Sequence, residues 1–211
     1  MKRAAPVLTI PFYQQTLDFT CGPACLIMAM QYFDPRVEAT RELEIDIWRE
    51  ANLVECYGTS RFGLALSGWR RGFEVFTWGV EAGLSFVDGL RDRLPNLDRG
   101  VLTALYADLK ERCESAGIRD RKARPGLRQV RRWVEEGSVP LLLTDSTIFG
   151  EESLPHWVVV AGFDGSQVLI NNPLSKWGPT ALTVERLEEG LGFKGTRCAV
   201  VVAGKSSSLR A

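Results

Sequence analysis

The chain has 211 residues, of which 45% are hydrophobic, enough for one domain with a real core. Its 26 basic and 26 acidic side chains cancel, which excludes a general attraction to nucleic acid or to an anionic membrane.

The first residues, Met1–Pro11, carry two basic side chains and a short apolar run. Pro6 and Pro11 break that run, and no small-residue cleavage site follows, so it reads as an extended lead-in and not a secretion signal. Val7–Tyr13 is expected to be extended. A helix is expected from Cys21, with Thr20 as N-cap, Pro23 in its first turn and apolar residues at 25, 26, 28, 29 and 32. Asp34-Pro35 ends it, and a second helix follows over Glu38–Asn52. Gly58–Gly72 reads as a loop feeding a helix at Phe62–Arg71; it is no phosphate loop, because no Gly-Lys-Ser/Thr follows. Phe73–Trp78 alternates as a strand. Leu97–Ser115 and Pro125–Glu136 have helical periodicity, and Val139–Thr144 is a buried strand. The clearest hairpin is His156–Phe163, turning at Asp164-Gly165-Ser166 into Gln167–Asn171. A helix at Thr183–Gly190 and a strand at Arg197–Ala203 complete the pattern.

Helices fill the first half and antiparallel strands the second, an α+β order without the βα alternation of a doubly wound sheet. One domain is expected over 1–204, with a helical insertion at roughly 35–137 and a polar tail at 205–211. Repeats and low-complexity tracts are missing from the sequence. Five cysteines, an odd number in a chain too large to need staples, fit free thiols and a cytoplasmic location. No apolar stretch reaches the roughly 18–20 residues of a membrane span.

One set of residues carries chemistry. Cys21 opens a helix, where amides and dipole favour a thiolate. Gly22 behind it permits close backbone approach. The only histidine, His156, opens the hairpin, and Asn172 lies sixteen residues on, before Pro173. A thiol can attack a carbonyl, an imidazole can take its proton, and an amide can orient the ring. Gln15, six residues before Cys21, could donate to an oxyanion together with the Cys21 N–H. Asn171 competes with Asn172, because strand alternation turns only one of the pair toward the histidine. Cys25 is expected in the core. A metal pair of Cys21 and Cys25 lacks further ligands, so no cofactor or metal is expected.

Gln15-x5-Cys21-Gly22-Pro23-Ala24 and His156-Trp-Val-Val-Val…Ile170-Asn171-Asn172-Pro173 resemble the bacteriocin-processing peptidases, family thirty-nine of the cysteine peptidases, and papain-fold enzymes more broadly. The region Trp177…Leu187 is similar to the end of such domains. The resemblance covers about the first 35 residues and 150–200. It implies a papain-like fold, with the nucleophile's helix packed on a C-terminal antiparallel sheet, and a Cys21–His156–Asn172 triad with Gln15 at the oxyanion. Family members usually carry Asp where Asn172 stands. The middle segment, Glu42…Trp48 and Arg61-Phe-Gly-Leu-Ala-Leu66…Arg70-Arg71-Gly72-Phe73, resembles a stand-alone bacterial branch, which implies a peptide or isopeptide substrate and an ATP-grasp amino-acid ligase as partner. The same thioester would also serve an acyl or peptidyl transferase; a non-catalytic peptide-binding module of this fold is the third reading.

Two further features stand out. Arg119-Asp-Arg121-Lys122-Ala-Arg124-Pro-Gly-Leu-Arg128-Gln-Val-Arg131-Arg132 is the one basic cluster: a solvated face, or a dock for an acidic partner. No aromatic interrupts it in sequence, which argues against a single-stranded nucleic-acid platform. Trp157 and Trp177 flank the hairpin residues and could wall the catalytic pair or line a cleft.

Overall fold

Backbone order is set by capping side chains as much as by apolar periodicity. The protein is seen here in a computed structural model that describes residues 7–53, 57–80 and 98–206. Helix α1 (Cys21–Phe33) is apolar all round, and its first ten residues are buried, as befits a central helix. Helix α2 (Arg41–Ala51) starts three residues later than the periodicity suggests. The reason is Thr40, whose hydroxyl accepts from Leu43 N–H at 3.2 Å and defines the cap. Ser60 does the same for α3 (Arg61–Arg70), accepting from Gly63 N–H at 2.9 Å. A Cβ on Gly63 would lie 2.5 Å from the Ala51 Cα, so the α2–α3 crossing requires glycine there. Asp98 caps α4 (Arg99–Ser115) at the Gly100 and Val101 amides; Leu97 lies outside the described residues. Helix α5 (Leu127–Glu135) and the short α6 (Val184–Glu189, capped by Thr183) complete the helices used here.

Seven strands form one sheet: β1 (Phe73–Val80), β2 (Asp120–Arg121), β3 (Val139–Asp145), β4 (Pro155–Asp164), β5 (Gln167–Asn171), β6 (Thr180–Thr183) and β7 (Arg197–Lys205), in the order β2-β1-β7-β3-β4-β5-β6. All neighbours are antiparallel except the edge pair β1–β2. The two-residue β2 and four-residue β6 are too short to show a period in sequence. Strand β1 lies within the helix-rich first half yet pairs with β7 along its whole length, so that half contributes to the common sheet. Lys205 belongs to β7, not to a loose tail, and its ammonium pairs with Asp34.

Helices cover both faces. Gly68 of α3 packs on Val75 of β1, while Trp133 of α5 meets Phe76 and Trp78. Adjacent strand positions face opposite ways, so α3 and α5 sit on opposite sides. Buried on every residue from Val139 to Thr144 and from His156 to Phe163, β3 and β4 form the middle layer. The lead-in runs over the β4 bulge: Leu8 N–H bonds Ala161 O at 2.8 Å, and a Cβ at Gly162 would lie 2.9 Å from Val7 Cα. The architecture is α+β, with helices packed on a largely antiparallel sheet. Among the described residues no helix is long and apolar enough to cross a membrane.

Candidate active site

Two structural units meet at one cleft: the start of α1 and the open end of the β4–β5 hairpin. Cys21 is the first residue of α1. Thr20, expected to cap that helix, makes no side-chain cap bond. Its hydroxyl is instead held by Glu44 of α2, through a short hydrogen bond. Glu44 is completely buried and accepts three further bonds, from Thr16 N–H at 2.9 Å, Thr16 Oγ1–H at 2.7 Å and Tyr13 O–H at 2.9 Å. A buried carboxylate is tolerated when every lone pair has a donor, and here all four donors come from the eight residues before Cys21. Burial first, then the neighbouring carboxylate, push the Tyr13 phenol above its ordinary value, so it remains a donor. This clamp was not anticipated. Its signal is nonetheless in the sequence: Glu44, Ile47 and Ala51 share one helix face, and the last two are core residues.

Gly22 is required by close approach. A Cβ there would fall 2.3 Å from Thr59 Oγ1 and 3.2 Å from Trp157 Cδ1. Trp157 is buried, with its indole N–H on Thr59 O at 3.3 Å, and so walls the thiol. Trp177 does not: it is 93% exposed.

His156 sits at the start of β4 opposite Thr144, whose hydroxyl donates to His156 O at 2.9 Å. Its Nε2 lies 2.8 Å from Asn172 Oδ1. The same Oδ1 accepts from Leu174 N–H at 3.0 Å, which identifies it as the oxygen. Nε2 is therefore the ring donor, and in the neutral imidazole Nδ1 carries the lone pair. Asn171 is paired with Val159 across the sheet and turns the other way, its amide donating to Ile10 O at 3.3 Å. Alternation thus brings Asn172, and not Asn171, to the histidine.

Gln15 is 8% exposed. Its backbone N–H bonds Pro173 O at 3.0 Å, tying the nucleophile's segment to the Asn172 loop. Its side-chain Nε2 donates to Leu17 O at 2.7 Å, closing on its own loop, and Gln15 is not among the residues lining the cleft. Cys21, His156 and Trp157 share a cavity of about 510 Å³ that continues past Thr59, Leu143 and Thr196.

Burial sets the resting protonation. It pushes the Cys21 thiol above its ordinary value, against backbone N–H groups of Trp157, Gly22 and Cys21 itself. The expectation of a thiolate held by the helix start is corrected here: the amides act in the expected direction, but desolvation outweighs them. Burial likewise lowers His156 to about 4, opposed by the bond to Asn172. Burial of each group thus favours the neutral thiol and the neutral imidazole. Cys25, one turn deeper, is fully buried and its thiol is raised by burial and by Cys21. Among the described residues no three His, Cys, Asp or Glu side chains gather as metal ligands, and Cys21, Cys25 and Cys113 are free thiols.

The basic cluster has partners the sequence does not show. Arg121 stacks 4.4 Å over Trp78, Arg131 4.3 Å over Phe163, and Arg119 5.8 Å over Phe76. Aromatics are interleaved with it after all, supplied by β1 and β4, but they lie beneath its own guanidinium groups.

A thiol at a helix start shares one cavity with a histidine that is held by an asparagine on an antiparallel sheet. The chain belongs to the Peptidase C39-like family, whose sequence pattern matches residues 10–188. Among solved structures it is similar to a Bacillus anthracis protein assigned to the C39-like peptidases, at 14% identity, covering 95% of this chain and 98% of that one with a TM-score of 0.59. The peptidase domain of Streptococcus ComA, a bifunctional ABC transporter of quorum sensing, matches at 14% identity over 90% of this chain and 96% of that one, TM-score 0.48. A double-glycine-motif protease from an AMS/PCAT transporter, solved with its leader peptide, matches at 16% identity over 96% of each chain, TM-score 0.49. No curated protein matches the chain.

Proposed function

We infer that this protein is a cysteine peptidase that cleaves a peptide or isopeptide bond through a thioester on Cys21. The observation that carries this reading is the His156 Nε2–Asn172 Oδ1 bond of 2.8 Å, which leaves Nδ1 as the basic nitrogen of a ring sharing one cavity with Cys21. Family membership supports the same chemistry.

Because burial favours the neutral form of each group, the thiol proton passes to His156 as sulfur attacks the substrate carbonyl. Asn172 accepts from Nε2–H throughout and holds the ring in plane. The developing oxyanion is met by the Cys21 backbone N–H at the start of α1, with the helix dipole behind it. Gln15 serves as the second donor once its side chain, closed on Leu17 O outside the lining of the cleft, turns toward Cys21. An amide NH2 has two protons, of which Leu17 O uses one. The imidazolium then protonates the leaving amine, the acyl group stays on sulfur, and His156 activates water to release the acid and restore the thiol.

Cys21→Ala is expected to abolish hydrolysis of peptide substrates while leaving the melting temperature near that of wild type. Turnover retained by this variant would sink the reading.

A further inference from the structure

The cavity continues well beyond the reacting pair, and its walls are of two kinds. Phe19, Leu143, Leu154, Trp157 and Leu174 supply apolar surface. Set among them are two hydroxyls, Thr59 Oγ1 and Thr196 Oγ1, both buried and without a hydrogen-bond partner. Thr196 as a whole is 5% exposed. Its neighbours do not use this hydroxyl: the tight Phe193–Thr196 pair is made by backbone groups at 2.8 and 2.9 Å. Buried polar atoms are nearly always paired, and one left over beside a cleft calls for an explanation.

Size and charge narrow what could enter. At about 510 Å³ the space is within the range that takes whole small ligands, and glycine or alanine beside the scissile bond would leave most of its surface without contact. Arg61 also lines it, but Asp120 lies 3.4 Å from its guanidinium and balances its charge. Asp18 and Glu151 on the lining disfavour a further anion. A large, non-anionic side chain with an apolar body and a hydrogen-bonding tip satisfies every wall.

The geometry points to a specificity subsite in this cavity that seats a bulky, non-anionic, hydrogen-bonding side chain of the substrate, tyrosine or glutamine in kind, with Thr196 reading its tip. This rests on the peptidase reading for the identity of the ligand as a peptide. The subsite deepens that reading by favouring substrates that carry a large side chain near the scissile bond. Thr196 acts as a specificity residue and takes no part in the bond-breaking step.

The test separates binding from chemistry. Fluorescein-labelled Ala-Ala-Xaa-Ala-Ala peptides, with Xaa as Gly, Leu, Phe, Tyr, Gln or Glu, are titrated by anisotropy against the Cys21→Ala protein. Alanine neighbours leave only Xaa able to fill the cavity, whatever the register. Burying an aromatic body predicts Phe about 10-fold or more tighter than Gly. One hydrogen bond at the tip predicts Tyr a further ~2- to 10-fold tighter than Phe, and Gln tighter than Glu. In a Cys21→Ala, Thr196→Val protein of unchanged melting temperature, the Tyr-over-Phe ratio is expected to fall to about 1 while Phe over Gly persists. In Thr196→Met, which fills space, Phe over Gly should shrink as well. Equal or absent binding across the series, tighter binding of Gly, or a Tyr-over-Phe ratio that ignores Thr196→Val overturns the subsite. None of these results bears on whether Cys21 hydrolyses peptides; wild-type protein that cleaves none of these peptides while the binding order stands would reject the peptidase reading alone.

Discussion

The two sides of the cleft are held in place by different means. On the nucleophile's side, Tyr13, Thr16 and Thr20 converge on the single carboxylate of Glu44, so the approach to Cys21 hangs on one buried side chain from another helix. On the base's side, His156 and Asn172 are positioned by backbone register: β4 pairs with β3 over Pro155–Val159 and with β5 over Val159–Asp164, and one side-chain bond adds the final orientation. A carboxylate clamp can be removed by one substitution, whereas a strand register cannot. The nucleophile's side should therefore be the fragile one in stability, and the base's side the sensitive one in rate.

That contrast can be broken at several points. The largest effect on rate after Cys21→Ala is expected at Asn172→Ala: kcat falls about 10²- to 10⁴-fold because the imidazole loses its orienter, while the melting temperature moves little. Parallel loss of rate and stability would show that Asn172 holds the loop and not the ring. Glu44→Ala should behave in the opposite way. It takes the common acceptor from Tyr13, Thr16 and Thr20 and leaves a gap in the core, costing about 2 kcal/mol, which is roughly 4–8 °C in a chain of this size. Glu44→Gln keeps the shape and part of the acceptor capacity, so it should recover part of that loss. Calorimetry of the two variants distinguishes a clamp from a space-filling residue, for which Ala and Gln would rank by volume alone.

His156 offers a milder probe through pH. Its folded value of about 4 lies below the ordinary 6.5, so the unfolded chain binds the extra proton first. The stability contributed by the neutral imidazole is complete above pH 6.5. It is lost as pH falls toward 4, by about 3 kcal/mol at most. Urea unfolding of wild type and His156→Gln between pH 7 and pH 4 should show the two curves converging as the pH drops. Curves that stay parallel would mean that the imidazole is protonated with no penalty in the fold. The smallest effect is expected at Trp177→Ser. With 93% of the residue exposed, stability should stay within about 0.5 kcal/mol and the rate unchanged. A large drop in rate would make Trp177 a substrate contact.

Much of this layout is legible in the chain itself because it depends on local chemistry. The 3.6-residue and two-residue periods and the Gly165 turn act within a few residues of where they are written, whereas the Thr40 and Ser60 caps, equally local but missed by the periodicity, set the true starts of α2 and α3. Parity along the hairpin confines the partner of a lone histidine to two adjacent asparagines. Which of them faces the ring depended on the bulge at Ala161, where Val160 pairs with Ile170 but Gly162 with Leu169. A bulge has no reliable sequence mark.

What tertiary structure alone decided are properties that sum over distant groups. The sequence places a thiol at a helix start, which suggests a thiolate, but burial of Cys21 among residues from α3 and β4 reverses the balance. Glu44 is written as one more acid on an amphipathic helix; only the packing of α2 against the segment before Cys21 makes it a clamp. Gln15 is near Cys21 in sequence, yet its side chain closes on Leu17. Thr196 and Thr59, 137 residues apart in the chain, become lining of one cavity because the last strand returns to the centre of the sheet. Local propensity and spacing determined which elements form and which residue types are available. Desolvation and long-range packing determined their charge, their partners and the space beside them, because both depend on atoms far apart in the chain.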